Sequence, residues 1–356
     1  MTADTQRALR VEIDGRTIGA DCPPYIVAEL SANHNGSLDT AFAIVEAAKH
    51  AGADAVKLQS YRPDTITIDS DRPEFQIQGG LWHGKSLYEL YQWAHMPWEW
   101  HKPLFDRALS LGITIFSSPF DRTAVDLLED LNAPAYKIAS FEAVDLPLIR
   151  YAASTRKPMI ISTGMADESE IGEAIAAARD AGCTQLVVLH CVSAYPAPAE
   201  EYNLRTIADL ADRFGVVGGL SDHTLDNTTA IASIGCGAAL IEKHVTLDRS
   251  AGGPDDSFSL EPRDLESLVR NARTAWAALG RVSYERKESE KGNVQFRRSL
   301  YAVRPIRKGE LFTLENVRSI RPGLGLAPKY LDAILGKASN VDLDAGTPIP
   351  AAVLEG

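Results

Sequence analysis

The sequence predicts a (β/α)8 TIM barrel followed by a small β-rich domain, and three observations point there. Eight short, continuously apolar runs rich in Val and Ile recur through the first 250 residues or so, as strands buried on both faces do. Amphipathic stretches of helical period fill most of the gaps between them. The pattern stops at Gly280, beyond which charged residues and turns take over.

The predicted strands are Tyr25–Leu30, Ala55–Ser60, Ile113–Ser118, Ala135–Ser140, Met159–Thr163, Leu186–Val192, Val216–Ser221 and Ala239–Thr246. Helical spacing marks Leu38–Ala51, Thr123–Leu131 and Glu168–Ala181. Turns such as Ala51-Gly-Ala-Asp54 and Leu111-Gly-Ile-Thr114 lead into the next strand. A doubly wound open sheet is the alternative, but no glycine-rich dinucleotide turn follows the first strand. The second and third strands are joined by a long insertion, Tyr61 to Leu111, holding Trp82, Trp93, Trp98 and Trp100, four of the five tryptophans. Long βα loops on barrels carry function. These rings either cover a sugar or pack the insertion onto the barrel. The expected boundaries are a barrel over 1–280, a linker over 281–298 and a small domain over 299–356. In that domain SLYAVRPIRKGELFT reads as strands and Thr313–Val317 as a helix start. A domain this small suits docking onto a barrel, a partner's included.

Composition limits the function. Apolar residues make up 45% and charged residues 24% of the chain, the mixture of a soluble globular protein. A net charge of −12 argues against nucleic acid or an anionic membrane as the main partner, while leaving room for a locally basic pocket. No apolar run is long enough to span a membrane, and the opening MTADTQRALR lacks a signal-peptide pattern. Cys22, Cys183, Cys191 and Cys236 show no zinc or C-x-x-C spacing, and the last three, in or beside apolar runs, read as buried thiols, so a reducing cytoplasm is expected.

In such a barrel the chemistry sits at the C-terminal ends of the strands. Those ends are polar here. In order they offer Glu29, then Lys57 and Gln59, Ser117 and Ser118, and Lys137, Ser140 and Glu142. Ser162 and Thr163, Ser193 and Tyr195, Ser221 and His223, and Lys243 and His244 follow. Lys57 and Lys137 place ammonium groups inside apolar strands, which costs several kcal/mol unless each is paired. With the hydroxyls of Ser118, Ser140, Ser162, Ser193 and Ser221 they describe an oxyanion site suited to phosphate. The competing possibility is that each lysine pairs with a protein carboxylate such as Glu29 or Glu142. His223 and His244 end adjacent strands and could share one divalent ion, with water and substrate oxygens completing the shell. That set suits Mg or Mn more than structural zinc. His190 reads as structural, and His50, His95 and His101 as surface groups.

These strings resemble the sialic acid synthases, which condense phosphoenolpyruvate with an N-acylated amino sugar. The resemblance rests on Ala28-Glu-Leu-Ser-Ala-Asn-His-Asn-Gly36, Lys57-Leu-Gln59, Phe116-Ser-Ser-Pro-Phe120 and Lys137-Ile-Ala-Ser-Phe-Glu142. It continues through Ser162-Thr-Gly-Met165, Tyr195-Pro-Ala-Pro198, Ser221-Asp-His-Thr224, Glu242-Lys-His244, Gly253-Pro-Asp255 and Ser259-Leu-Glu-Pro262. Phe296-Arg-Arg-Ser-Leu300 and Arg321-Pro-Gly323 extend it into the tail, which resembles that family's antifreeze-like (SAF) domain. Gly79-Gly-Leu-Trp82, Leu87-Tyr-Glu-Leu-Tyr91 and Gly252–Leu260 look most like the pseudaminic acid branch, with N-acetylneuraminate and legionaminate synthases as alternatives. Ser193 stands where the family has an asparagine.

The resemblance implies that Lys57, Lys137 and the five serines hold phosphoenolpyruvate. Glu142, or failing it Glu29, would take a proton from water. Gln59, Tyr195 and Asp255 would orient the sugar, and Arg321 would reach its acyl group from the other subunit of a domain-swapped homodimer. Two other classes stay open on the residues alone. One is a phosphoenolpyruvate aldol enzyme acting on a sugar phosphate, which would need a second basic cluster. The other is a non-catalytic carbohydrate-binding protein, against which the retained carboxylates, lysines and histidines argue.

Overall fold

The structure is a computed structural model that describes residues 9–354. The first eight residues of the opening segment lie outside them. The chain forms two compact units, Met1–Gly280 and Arg281–Gly356.

The first unit opens with a hairpin, β1 (Val11–Ile13) and β2 (Arg16–Ile18). Eight parallel strands follow: β3 (Tyr25–Glu29), β4 (Ala55–Ser60), β5 (Thr114–Pro119), β6 (Tyr136–Ile138), β7 (Met159–Ser162), β8 (Leu186–Cys191), β9 (Val217–Ser221) and β10 (Leu240–His244). They pair in sequence order, and β10 closes onto β3, so the sheet is a complete barrel, as predicted. Its principal helices are α1 (Leu38–Ala51), α2 (Pro63–Ile66), α3 (Leu87–Ala94), α4 (His101–Leu111) and α5 (Arg122–Asp130). They continue with α6 (Leu146–Ala153), α7 (Glu168–Asp180), α8 (Thr206–Phe214), α9 (Thr228–Gly235) and α10 (Pro262–Leu279). Sequence punctuation sets their ends. Ser37 caps α1 by accepting from the Thr40 amide at 3.2 Å, and Gly52 ends it in the left-handed region at φ 83°.

Strand alternation sorts the barrel into two apolar layers. Ile26, Val56, Ile138, Ile161, Val188 and Ile241 face outward and pack beneath the helices. Tyr25, Val27, Ala55, Phe116, Ile160, Val187, Leu189 and Leu240 fill the interior, where Val11, Ile13 and Ile18 of the hairpin join them. The hairpin therefore packs into the interior cluster and leaves the polar strand ends at the other mouth. Its turn, Asp14-Gly15, takes φ of 50° and 76°. Asp-Gly between alternating residues is the pattern for a two-residue hairpin, so this hairpin, outside the eight predicted strands, has its own signal in the sequence.

The second unit is built on an antiparallel pair, β11 (Ser299–Ala302) and β12 (Val317–Ile320), supplemented by single bridges such as Ile306 to Leu343. A core of Leu300, Ile306, Phe312, Val317 and Ile349 lies under them, with the short α11 (Leu331–Ile334) packed alongside. The helix start expected at Thr313–Val317 is instead a single turn, because the Asn316 side chain accepts from the Thr313 amide at 2.8 Å and β12 begins at once. Within the stretch expected to be a linker, Glu288–Phe296 forms 3₁₀ turns.

Candidate active site

A cavity opens at the polar mouth of the barrel, and its floor is a charged cluster at the inward-facing ends of β3, β4, β6 and β10. Lys57 Nζ lies 2.8 Å from Glu29 Oε2 and 3.3 Å from Glu242 Oε1, and Lys137 Nζ lies 3.5 Å from the same Glu242 oxygen. All four side chains are buried. Burial alone would push both ammonium groups down. Glu242 and Glu29 more than offset this for Lys57, which is raised, while Lys137 remains lowered. Burial likewise raises Glu29, whereas the two lysines outweigh it for Glu242 and hold that carboxyl below its usual range. Pairing and an anion site thus coexist here. The carboxylate partner is Glu242 together with Glu29, not Glu142. Sequence reasoning passed over Glu242 as a site residue, although the period of two along β10 places Glu242 and His244 on one face and Lys243 on the other.

The same alternation corrects Lys243 as a strand-end group of the site. It faces the helical side, where its ammonium donates to Asp222 Oδ2 at 2.9 Å and to the carbonyls of Thr224 and Asp226 at 2.8 Å. Ser117 also faces outward, bonded to Ser60, which bonds His101. His101 is fully buried, not a surface group, because its ring also reaches the Trp98 carbonyl and burial holds its pKa down to about 4. His190 is structural as expected, bonded to the Tyr202 carbonyl.

Hydroxyls ring the floor. Ser118 accepts from Lys57 at 3.2 Å. Ser162 and Ser221 are buried and line the cavity, and Ser162 Oγ has no partner among the described residues. Ser140 lines the cavity and accepts from the Gly164 amide at 3.2 Å. A Cβ at Gly164 would fall 2.8 Å from Ser140 Oγ and overlap Ser193 Oγ, so glycine is what lets these two hydroxyls approach that backbone. Cys191, absent from the expected set, faces the same region, its sulfur 3.4 Å from Ser140 Oγ and 3.9 Å from His223 Nδ1. Burial raises this thiol, but His223 beside it brings it down to about 7.

His223 and His244 line one wall with ring centroids 5.5 Å apart. His223 Nδ1 bonds the Val192 carbonyl at 2.8 Å, which directs that nitrogen's proton to the carbonyl, so that in its neutral form the ring offers Nε2 as a lone pair. Against its burial, the Cys191 thiol and this carbonyl raise the ring's pKa. His244 is neutral, its pKa pushed far down by burial and by nearby positive groups, and its buried Nδ1 has no hydrogen-bond partner among the described residues. The nearest carboxylate oxygen, Asp255 Oδ2, is 3.8 Å away. Two close imidazoles with lone pairs available fit a divalent ion completed by water or substrate oxygens. No cluster of three or more His, Cys, Asp or Glu side chains fit to hold an ion occurs among the described residues. The Tyr195 ring packs at a tilt against His223, with centroids 4.5 Å apart, and against Phe258, 5.2 Å apart. Asp255 bonds Ser31 and is raised by burial.

Glu142 stands at the rim. Its Oε2 is buried without a partner, and burial raises its pKa to about 7. Glu29, by contrast, lies under the cavity, tied to Lys57 and to the Gln59 amide at 3.1 Å. Gln59 lines the cavity above Lys57. The insertion supplies the upper wall through Tyr61, Ile66, Trp82, Leu90, Tyr91 and Ala94. Trp82 donates to the Pro254 carbonyl at 3.0 Å, so of the four insertion tryptophans it alone lines the cavity. The Arg62 guanidinium lies over the Trp98 ring, and Trp100 meets His34 edge-on. The Asn33-His34-Asn35 string is structural. Asn33 bonds Val245 and Ser259, and Asn35 bonds Asp256, which ties this loop to the segment bearing Asp255. Arg321 is exposed and follows β12 in the second unit.

Comparison with known proteins places this arrangement. The chain is 46% identical over 335 residues, 94% of its length and 98% of the relative's, to the pseudaminic acid synthase of Helicobacter pylori. It is 44% identical over 322 residues, 90% of its length and 94% of the relative's, to the pseudaminic acid synthase of a Campylobacter jejuni strain. The crystal structure of the spore coat polysaccharide biosynthesis protein SpsE of Bacillus subtilis superposes with a TM-score of 0.67 at 36% identity, covering 96% of this chain and 98% of that one. Residues 297–355 match the SAF domain. With residues 44–284 matching the model of the NeuB family, the chain belongs to that family.

Proposed function

We propose that this enzyme condenses phosphoenolpyruvate with 2,4-diacetamido-2,4,6-trideoxy-L-altrose and water to give pseudaminic acid and phosphate. The observation that carries the choice of sugar is the 44–46% identity to pseudaminic acid synthases over at least 90% of the chain. The floor supports the choice of co-substrate. Burial raises Glu29, which lessens the negative charge facing Lys57 and Lys137 and favours an entering anion beside the two ammonium groups. Lys137, held low by burial, gains most from a phosphate or carboxylate beside it. Ser118, Ser140, Ser162, Ser193 and Ser221 are the hydroxyls assigned to the same anion.

In this reaction the methylene carbon of the enol phosphate forms a bond to the sugar aldehyde. Water then adds at the former enol carbon, and phosphate leaves by carbon–oxygen cleavage. A divalent ion, Mg or Mn, held by His223 and His244 would supply Lewis-acid polarisation of the aldehyde. Glu142 is the proton acceptor for water, because it alone of the two candidate carboxylates lines the cavity and has an unengaged oxygen. Gln59, Tyr195 and Asp255 orient the sugar. Arg321 contacts its acyl group in a domain-swapped homodimer, a role the family resemblance supports. The reaction belongs in the cytoplasm, where phosphoenolpyruvate is made; no helix among the described residues is long and apolar enough to cross a membrane.

The test is a panel of amino sugars supplied with phosphoenolpyruvate, read by phosphate release and by mass spectrometry of the product. The diacetamido sugar should have the highest kcat/KM, with discrimination against N-acetylmannosamine on the order of 10–200-fold. Equal or better use of N-acetylmannosamine would move the assignment to N-acetylneuraminate synthesis.

A further inference from the structure

Lys57, Gln59 and Tyr61 are three successive inward positions of one strand and its continuation, and all three line the cavity. Each step of two residues rises roughly 7 Å toward the mouth. Lys57 belongs to the anion floor, so Gln59 meets the middle of a ligand that stands on that floor, and Tyr61 meets its far end. Tyr61 is held firmly there. It is 3% exposed, and its ring makes edge contacts with Tyr91 at 5.7 Å and Phe120 at 5.1 Å. Its hydroxyl forms no hydrogen bond among the described residues and is not itself sealed from the cavity, so it is open to a ligand there. Burial and the facing Asp255 keep the phenol protonated, so it remains a donor. The cavity wall it belongs to is largely apolar, with Ile66, Leu90, Ala94 and Phe120, alongside Tyr91 and Asp255.

A donor set in an apolar wall matches an acylamino group, whose carbonyl accepts and whose methyl packs. We propose that Tyr61 is a specificity-determining residue, its hydroxyl donating to the carbonyl of the acylamino group on the half of the sugar remote from the reacting aldehyde. This rests on the substrate proposed above. In that sugar the remote half carries the 4-acetamido group and the terminal methyl, where N-acetylmannosamine carries hydroxyls.

The experiment compares the diacetamido sugar with its counterpart bearing a hydroxyl at carbon 4, in wild type and in Tyr61→Phe. The substitution keeps the ring and its packing. For the diacetamido sugar, Tyr61→Phe should raise KM roughly three- to tenfold, the effect of one lost neutral hydrogen bond. kcat and the KM for phosphoenolpyruvate should hold within twofold. For the 4-hydroxy sugar, kcat/KM (or its inhibition constant if it is not turned over) should change less than twofold. Equal losses on both sugars, or none on the diacetamido sugar, overturn the assignment of Tyr61 and leave the reaction intact. A wild-type enzyme that does not turn over the diacetamido sugar overturns the reaction and this assignment together.

Discussion

Glu142 and the two wall histidines carry the proposed chemistry that single substitutions test most directly. Burial holds the Glu142 carboxyl at about 7, so its base form disappears as pH falls below neutrality. kcat should therefore show an acidic limb with an apparent pKa near 7. Glu142→Gln should lose 10²–10⁴-fold in kcat, roughly the worth of a positioned base. The same shift bears on stability. A carboxyl whose folded pKa lies above its unfolded value near 4.5 favours the fold most at low pH, and that contribution is lost as pH rises through 7. The difference amounts to about 3 kcal/mol. Between pH 5 and pH 8 the unfolding free energy of wild type should fall relative to Glu142→Gln; parallel curves would show that the carboxyl is not perturbed. For the histidines, chelation should abolish turnover and Mg or Mn restore it. His223→Ala or His244→Ala should cost orders of magnitude in activity with little loss of folded protein. Full activity in a demonstrably metal-free enzyme would refute the ion. Residue type and strand position pointed to Lys57, Lys137, Glu142 and the histidines, all of which line the cavity. Glu242 and Cys191 were missed because a carboxylate or a thiol within an apolar run looks like core until the strand's facing is known.

At the scale of elements, apolar runs announced every barrel strand, and their ends differ from the observed ones by only one or two residues. Facing was the harder part. Lys243 and His244 are neighbours in sequence but point to opposite layers, and only the register of β10 against β3 and β9 decides which is inside. The insertion was legible as an addition but not as a wall, since its role depends on contacts across the mouth, such as Trp82 with the Pro254 carbonyl. Its helix α3 is set by a capping box. Ser86 Oγ accepts from the Glu89 amide at 3.1 Å, and Glu89 Oε2 accepts from the Ser86 amide at 2.8 Å. Leu90 and Tyr91 of this helix line the cavity. Ser86→Ala should cost about 1 kcal/mol in local helix stability. Because the floor is built on other strands, the sugar's KM should rise several-fold while that of phosphoenolpyruvate stays put. A change in both would show that α3 supports the whole barrel mouth and not the sugar wall alone.

The whole molecule is divided in charge as well as in fold. Residues 281–356 hold thirteen Lys and Arg against nine Asp and Glu, while the entire chain carries a net charge of −12, so the acidic excess lies wholly in the barrel unit. Arg321 directly follows β12 and precedes Pro322, so a folded unit carries it rather than a free arm. A guanidinium so placed can donate to an acyl carbonyl in defined geometry. In the proposed domain-swapped dimer the tail of one subunit serves the other's barrel. Arg321→Ala should then raise the sugar's KM far more than that of phosphoenolpyruvate. Mixing this variant with Glu142→Ala distinguishes the two arrangements. If tails are exchanged, a mixed dimer pairs the intact barrel of the Arg321→Ala chain with the intact tail of the Glu142→Ala chain and regains one complete site. At full random exchange, half the dimers are mixed and each holds one good site of two, so about a quarter of wild-type activity should return. If each tail serves its own barrel, every site keeps one defect, and the mixture stays at the level of the separate variants however completely the subunits exchange.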